Sequence, residues 1–539
     1  MITGRSTMTS SFAKPLALAS SLAVAALVLA GCSASSNNAA SGGGETLTVD
    51  TSFVLKTLDP GLVYEQTGNI IVHALYDTLV TYEGSDVTTV VPELASEWVQ
   101  SDDGTTWTFT LNPDATFADG SAVTADDVVF SLTRLQNLKG SSSQTVEGLT
   151  FAADGDDTVV VTSPTPNPNV PVVLAMPAAS ILNAEEAEKL GATDAADAAS
   201  ADTVGTQLDE ASLGSGPYKI KSYDSSSKVV LEVNEDYWGD APAYSRVVVQ
   251  NVDVQNQKLT ISRAKADEIA LDLSGPQAAE LSDDLQVSGV ADTSYFLSVN
   301  QDPAVSEITS NPAFLAALRA SVDGAGIAEI FGEGATAAAG LVPPAFGGAL
   351  DESEVQPQDI EKAKSLLEEA GISSPKVNLV YPAITYRGVD LGTIVTKVQQ
   401  DAKKAGIEIE LQPEPINVFL QSQSEGKNEI NFSPNSLNYP AADSLVNNMA
   451  PGASTSTRAG WTVERADPRA VEASDAVNAE VTPEGRAEAM IAWQKVMNET
   501  SPFVVLANNA GIVVATSNLV GASYTPAGWT VDLAAISAK

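Results

Sequence analysis

A chain of 539 residues with a single cysteine must hold its fold by packing alone, because no disulfide can close within it. That cysteine is Cys32, and its setting explains its presence. Arg5 and Lys14 precede or open an apolar run from Pro15 to Ala30. The run has the length of a signal-peptide core, whereas a membrane-spanning helix needs about 20 apolar residues. It ends in Leu29-Ala30-Gly31-Cys32, a lipobox in which small residues admit a peptidase and the cysteine thiol receives a diacylglycerol. Residues 1–31 are therefore expected to leave as a signal peptide, with Cys32 as the lipidation site. The next twelve residues, SASSNNAASGGG (33–44), cannot build a core and read as a flexible tether with a reach of roughly 20 Å.

Beyond the tether, 44% hydrophobic and 18% charged residues describe an ordinary globular body. The formal net charge of −41 repels phosphate backbones and anionic headgroups. No nucleic-acid partner is expected, and the lipid is the only expected membrane contact. Catalytic readings lack their parts. With the one cysteine expected to carry lipid, a single histidine leaves no Cys-His pair and no histidine-rich metal site. No GxSxG turn occurs, and Gly426-Lys427 lacks the rest of a phosphate-cradling loop. The expectation is no enzyme activity, no metal and no cofactor.

The element pattern is mixed α/β. ETLTVDTSF (45–53) alternates as a strand, and Ile70, Ile71, Ala74 and Leu75 recur at helical spacing. Asp103-Gly104 marks a hairpin turn, after which Trp107, Phe109 and Leu111 point one way. Thr124, with Asp127 three residues on, opens a helix expected to bury Val128, Val129, Leu132 and Leu135. Residues 155–163 read as a strand, and an Ala/Asp-rich stretch at 184–204 reads as a separator. DIEKAKSLLEEAG is an amphipathic helix stopped by Gly371. Residues 377–382, a helix near 391–405 and residues 407–413 form a βαβ unit, and a last helix (484–498) leads into FVVLANNAGIVVAT. His73 lies in a helical stretch and reads as a structural histidine.

Several of these segments, in order, resemble the signatures of extracytoplasmic solute-binding proteins of family 5, the oligopeptide- and dipeptide-binding group. They are Leu58-Asp59-Pro60, the long run Pro92 to Arg134, Gly214-Ser215-Gly216-Pro217-Tyr218, Asn234 to Trp238 and Ala363 to Gly371. The resemblance implies a bilobal periplasmic-binding-protein type II fold with an extra inserted domain. It implies a discontinuous domain I (45–62, 205–290 and 509–539), an inserted domain II (63–204) and a domain III (291–508). Two crossings between lobes would form a hinge, and ligand would be enclosed by hinge closure.

The resemblance also directs attention to particular residues. In peptide-binding relatives, a large-lobe loop supplies an aspartate for the peptide's ammonium. The matching stretch here runs from Pro434 to Asp443, with Asn435 in place of a tryptophan and Asn438 in place of that aspartate. A neutral amide holds an ammonium far less well than a carboxylate does. Either Asp443 takes over that role, or the protein does not hold a free amino terminus; Asp443 also suits a helix N-cap. Tyr439, Phe53 after the first strand, and Asn508 and Asn509 in the last crossover complete the candidate ligand-binding set. The function so implied is a lipid-anchored, monomeric binding protein of an ABC importer that delivers a small solute, a peptide or peptide-like compound, to permease subunits served by separate ATPases. Alternatives are a non-peptide solute such as an oligosaccharide or metal chelate, or a peptide-sensing receptor component. An Ala- and Asp-rich, Lys-poor composition points to the wall space of a Gram-positive cell.

Overall fold

The computed structural model describes residues 45–437 and 439–539; Cys32, the tether and Asn438 lie outside the described residues. The alternating start of the body forms the strand Thr46–Thr51, which pairs in parallel with both Arg246–Asn251 and Glu268–Ala270. These strands belong to an eleven-stranded mixed sheet. Its path runs from Glu408–Glu414 through Lys376–Pro382 and Ile430–Ser436 to the long strands Leu285–Val299 and Phe503–Thr516. It continues through Glu268–Ala270, Thr46–Thr51 and Arg246–Asn251 to Lys228–Val233 and Tyr218–Asp224.

The two long strands join the halves of this sheet, which form the floors of the two lobes. They pair antiparallel along nearly their whole length. At one end, Ala515 and Val514 pair with Ile269 and Ala270; at the other, Thr293–Val299 pair with Ser436–Ile430. The register shifts between Ala291 and Thr293, leaving Asp292 as an extra residue in the ladder. Such a bulge bends and twists a strand pair locally. One core, around Leu47, Leu231 and Val247, packs on one half, and another, around Leu297, Leu379 and Phe432, packs on the other. The expected βαβ unit sits in the second half, where Lys376–Pro382 and Glu408–Glu414 are parallel neighbours connected through the helix Leu391–Lys404.

A separate four-stranded sheet, in the order Ala95–Gln100, Thr106–Leu111, Thr158–Thr162, Thr150–Ala153, lies in the early part of the chain. Gly104, at φ +70°, turns its first hairpin, and Trp107, Phe109 and Leu111 are buried on one face as expected. Thr124 and Asp127 form the reciprocal cap of the helix Ala125–Leu138. One expected core residue differs. Val129 is only half-buried, while Phe130, Ser131 and Arg134 are buried. The helix is covered on two sides, since Val128, Leu132 and Leu135 face one core and Phe130 faces another. A single apolar stripe cannot describe a helix sandwiched in this way.

The recurring sequence signatures resolve into buried joints. Arg134, 1% exposed, donates to both oxygens of Asp59 at 2.8 and 2.6 Å, and its Nε donates to Asp202 at 2.8 Å. The Leu-Asp-Pro turn, the end of the long signature and the Ala/Asp-rich stretch thus meet at one guanidinium. Removing one member of such a buried pair typically costs about 3–5 kcal/mol, because the survivor stays desolvated and uncompensated. Gly214 and Gly216 are required by close approach: a Cβ on them would lie 2.2 Å from the Leu75 carbonyl oxygen and 2.5 Å from its carbon. Asp77 accepts from the Trp238 indole at 2.9 Å, while the neighbouring Thr78 donates its backbone N–H and its hydroxyl to Glu93, each at 2.7 Å. His73 stacks on Trp529 with ring centroids 4.1 Å apart, a packed aromatic contact.

Burial pushes the Asp77 carboxyl up to about 6, against the lowering effect of its hydrogen bonds from Trp238 and Tyr237. A carboxyl whose pKa is raised on folding stabilises the protein below its unfolded value near 3.8 and loses that contribution as pH rises towards 6. Two units correspond to about 3 kcal/mol. Urea unfolding of wild type and Asp77→Asn should therefore show the wild type losing about 2–3 kcal/mol relative to the variant between pH 4 and pH 7. Parallel pH profiles for the two proteins would refute the buried, protonated state of Asp77.

Candidate functional site

Beside the crossing strands, the two halves of the sheet border a half-open cavity of about 970 Å³. One wall is formed by Thr51, Ser52, Asp272 and Ala510–Ile512, and the other by the tip of a hairpin, Thr385–Gly388. That hairpin lies between the strand Lys376–Pro382 and the helix Leu391–Lys404, in the half of the sheet that holds the βαβ unit. Arg387 and Gly388 both have positive φ, 47° and 71°, the turn geometry that matches the twist of a two-residue hairpin. Gly388 approaches Ser274 so closely that a Cβ would lie 2.3 Å from the serine Cβ. The glycine thus serves the turn and also lets the opposing walls meet.

Arg387 is the only cation among the described residues lining this cavity, beside Glu65, Asp253 and Asp272. Its guanidinium grips Asp292, the bulge residue of the crossing, through both terminal nitrogens, and Tyr524 donates to the same carboxylate at 2.6 Å. Burial opposes charge on Arg387, but Tyr524 and Asp292 outweigh that and push its pKa up. Each acid also has its own role. Asp272 accepts from Ser52 N at 2.6 Å, Thr51 at 3.0 Å and Gln257 at 2.8 Å; Glu65 pairs with Lys56 at 2.6 Å; Asp253 caps the helix Val254–Ile261.

A second cavity, about 620 Å³, opens beside the first, and Tyr64, 61% exposed, lines both. Its walls come from the early segment (Ser141–Thr145, Met176–Ala178) and from the large-lobe stretch Ser436, Leu437, Tyr439 and Ser444. Most of its polar lining consists of hydroxyls and amides, such as Asn69, Ser142, Gln144, Asn447 and Asn448.

The residues singled out from the sequence occupy different places. Tyr439 lines the second cavity, and Asn438 lies outside the described residues. Asn435 sits in the strand Ile430–Ser436 opposite Ser294 and lines neither cavity. Asp443 stands at the N-cap position of the helix Ser444–Met449, but its side chain does not cap it. Its two oxygens accept from Asn169 at 2.8 and 2.7 Å, and one also accepts from Arg486 at 2.6 Å. This carboxylate fastens the early segment to the large-lobe half. Phe53 packs against the core beside the first cavity, with its neighbours Ser52 and Val54 forming the lining. Asn508 and Asn509 are buried in the crossing strand. Asn508 donates to Thr336 at 3.2 Å, while its Oδ1 and the Nδ2 of Asn509 have no partner among the described residues. Sequence reasoning missed Arg387, Asp272 and Tyr64. The Arg-Gly pair at 387–388 between short extended segments was the available signal for the hairpin.

This is a two-walled cleft lined by side chains able to bind and orient a solute. A family model described as bacterial extracellular solute-binding proteins, family 5 Middle, matches residues 89–457. The chain belongs to this family. Among curated relatives of this family 5 member, the Escherichia coli protein named "Probable D,D-dipeptide-binding periplasmic protein DdpA" is 32% identical over 217 residues, 39% of this chain and 40% of that relative. The chain thus matches about two-fifths of that relative's length. The Escherichia coli dipeptide-binding protein is 26% identical over 400 residues, 66% of this chain and 69% of the relative. A solved structure of the same fold is the Helicobacter pylori periplasmic binding protein DppA in complex with the peptide STSA. Its TM-score is 0.68 at 20% identity, covering 92% of this chain and 99% of that one. The fold is accordingly the bilobal binding-protein fold of family 5. No helix among the described residues is long and apolar enough to cross a membrane.

Proposed function

We propose that this protein is a lipid-anchored receptor that captures a peptide or peptide-like solute in the cleft by hinge closure and delivers it to the permease of an ABC importer. The observation that carries the reading is the cavity of about 970 Å³ held between the two sheet halves, directly over the strands that join them. Ligand touching both walls selects the closed arrangement, because only that arrangement offers both sets of contacts. The crossings near 290/291 and 508/509 divide the chain into domains I and III in this reading, with 63–204 as the inserted domain. The peptide-binding names of the relatives support a peptide ligand. Arg387 is the receiving group for a ligand carboxylate, since a guanidinium carries five donors and its contacts with Asp292 and Tyr524 leave some of them available. Asn508 and Asn509 are buried in the floor strand and line neither cavity. The role is capture without bond-making, the protein acts as a monomer, and Cys32 holds it at the outer face of the membrane.

A thermal-shift screen of peptides, oligosaccharides and metal chelates tests the ligand class. A ligand at one hundred times its Kd should stabilise the native state by about 2.7 kcal/mol. Concentration-dependent shifts confined to the peptides are expected, and shifts confined to sugars or chelates would overturn the peptide reading. For the anchor, Cys32→Ala should abolish incorporation of labelled lipid and release the protein from membranes. Undiminished incorporation would contradict lipidation at that residue.

A further inference from the structure

Three parallel neighbours of the large sheet run out at the first cavity. Thr46–Thr51 pairs in parallel with Arg246–Asn251 on one side and Glu268–Ala270 on the other. Just past the carboxyl ends of these strands stand Ser52, Asp253 and Asp272, all in the cavity lining. The crevice beyond the carboxyl ends of parallel strands is where open α/β sheets generally receive ligand.

Asp272 is the group there whose charge is unspent. Its Oδ2 accepts from the Ser52 N–H at 2.6 Å, the Thr51 hydroxyl at 3.0 Å and the Gln257 amide at 2.8 Å. Its Oδ1 has no hydrogen-bond partner, and the carboxylate no cation, among the described residues. All three donors are uncharged, so they fix the partly buried carboxylate in place without neutralising it. The other charges of the lining are matched or exposed. Lys56 pairs with Glu65 at 2.6 Å, Asp292 matches Arg387, and Asp253 stands in solvent, where water screens it. Asp443, the carboxylate singled out from the sequence, is paired with Arg486 and lies in neither lining. An ammonium entering the first cavity exchanges hydration for a charge-assisted hydrogen bond to a pre-oriented oxygen. Resting on the peptide reading, we propose that Asp272 receives a primary ammonium of the ligand, so that the cleft selects peptides bearing a cationic nitrogen.

Calorimetry on the full chain at pH 7 tests this with short matched Ala/Ser peptides. One form has a free amino terminus, one is N-acetylated, and one is N-acetylated but carries a lysine. Wild type should bind an ammonium-bearing form at least about tenfold more tightly than the acetylated, lysine-free form. Whichever ammonium gives the gain identifies its source, amino terminus or side chain. Asp272→Asn keeps an acceptor for Thr51, Ser52 and Gln257 but loses the charge. It should erase the gain and leave the acetylated, lysine-free peptide binding as before. Equal weakening of every form would reduce Asp272 to a stitch between strands, and an undiminished gain would put the cation elsewhere; either overturns the inference. So does a wild type that draws no distinction between the forms, a comparison that needs no variant to fold. If no peptide binds in any form, the peptide reading itself falls, and this inference with it.

Discussion

The strand pair Leu285–Val299 and Phe503–Thr516 is the constraint on which the rest of the architecture depends. It is the common member of both halves of the large sheet, so each lobe's core is registered against it. A long antiparallel pair resists stretching but tolerates twist, and its register shifts twice, at Asp292 on one strand and at Leu506 on the other. The buried carboxylate of Asp292 is held by Arg387 from one wall of the cleft and Tyr524 from the C-terminal segment. Cleft and bend thus share a residue.

The parts of the sequence that identify the family are mostly not the parts that meet ligand. Asp59, Arg134, Gly214, Gly216 and Trp238 build joints outside the cavity linings. Their chemistry explains their spacing: a buried guanidinium needs carboxylates from distant segments, and backbone packed on backbone needs glycine. These joints hold the early four-stranded layer against the sheet, so that Ser142, Gln144 and Met176 face the large-lobe stretch across the second cavity.

Much of the fold was legible because its elements follow local rules. The capping pair Thr124 and Asp127, the turn at Gly104, the stop at Gly371 and the parallel βαβ unit are each written within a few residues. What escaped depends on distant partners. Val129 and Phe130 exchange exposure because the helix meets two cores, and periodicity registers only one face. Asp202 lies in a stretch that reads as a separator, yet it completes the Arg134 joint. In the site, Tyr439 reaches a cavity lining, but Asn435 and Phe53 fall beside the linings. Arg387 was invisible because its position rests on a two-residue hairpin tip and a bulge 95 residues earlier in the chain.

The charge arrangement of the cleft is consistent with a body that carries a net charge of −41 yet places Arg387 in its main cavity. An acidic exterior disfavours association with other anionic surfaces, while the one guanidinium among the described lining residues of that cavity is charge-paired with Asp292. The account as a whole rests on motion of two lobes about the crossing strands. Small-angle X-ray scattering with and without a saturating peptide is the most direct measurement of that motion. The radius of gyration should fall when peptide saturates the protein. Superimposable profiles with bound peptide present would contradict closure about the Asp292 bend.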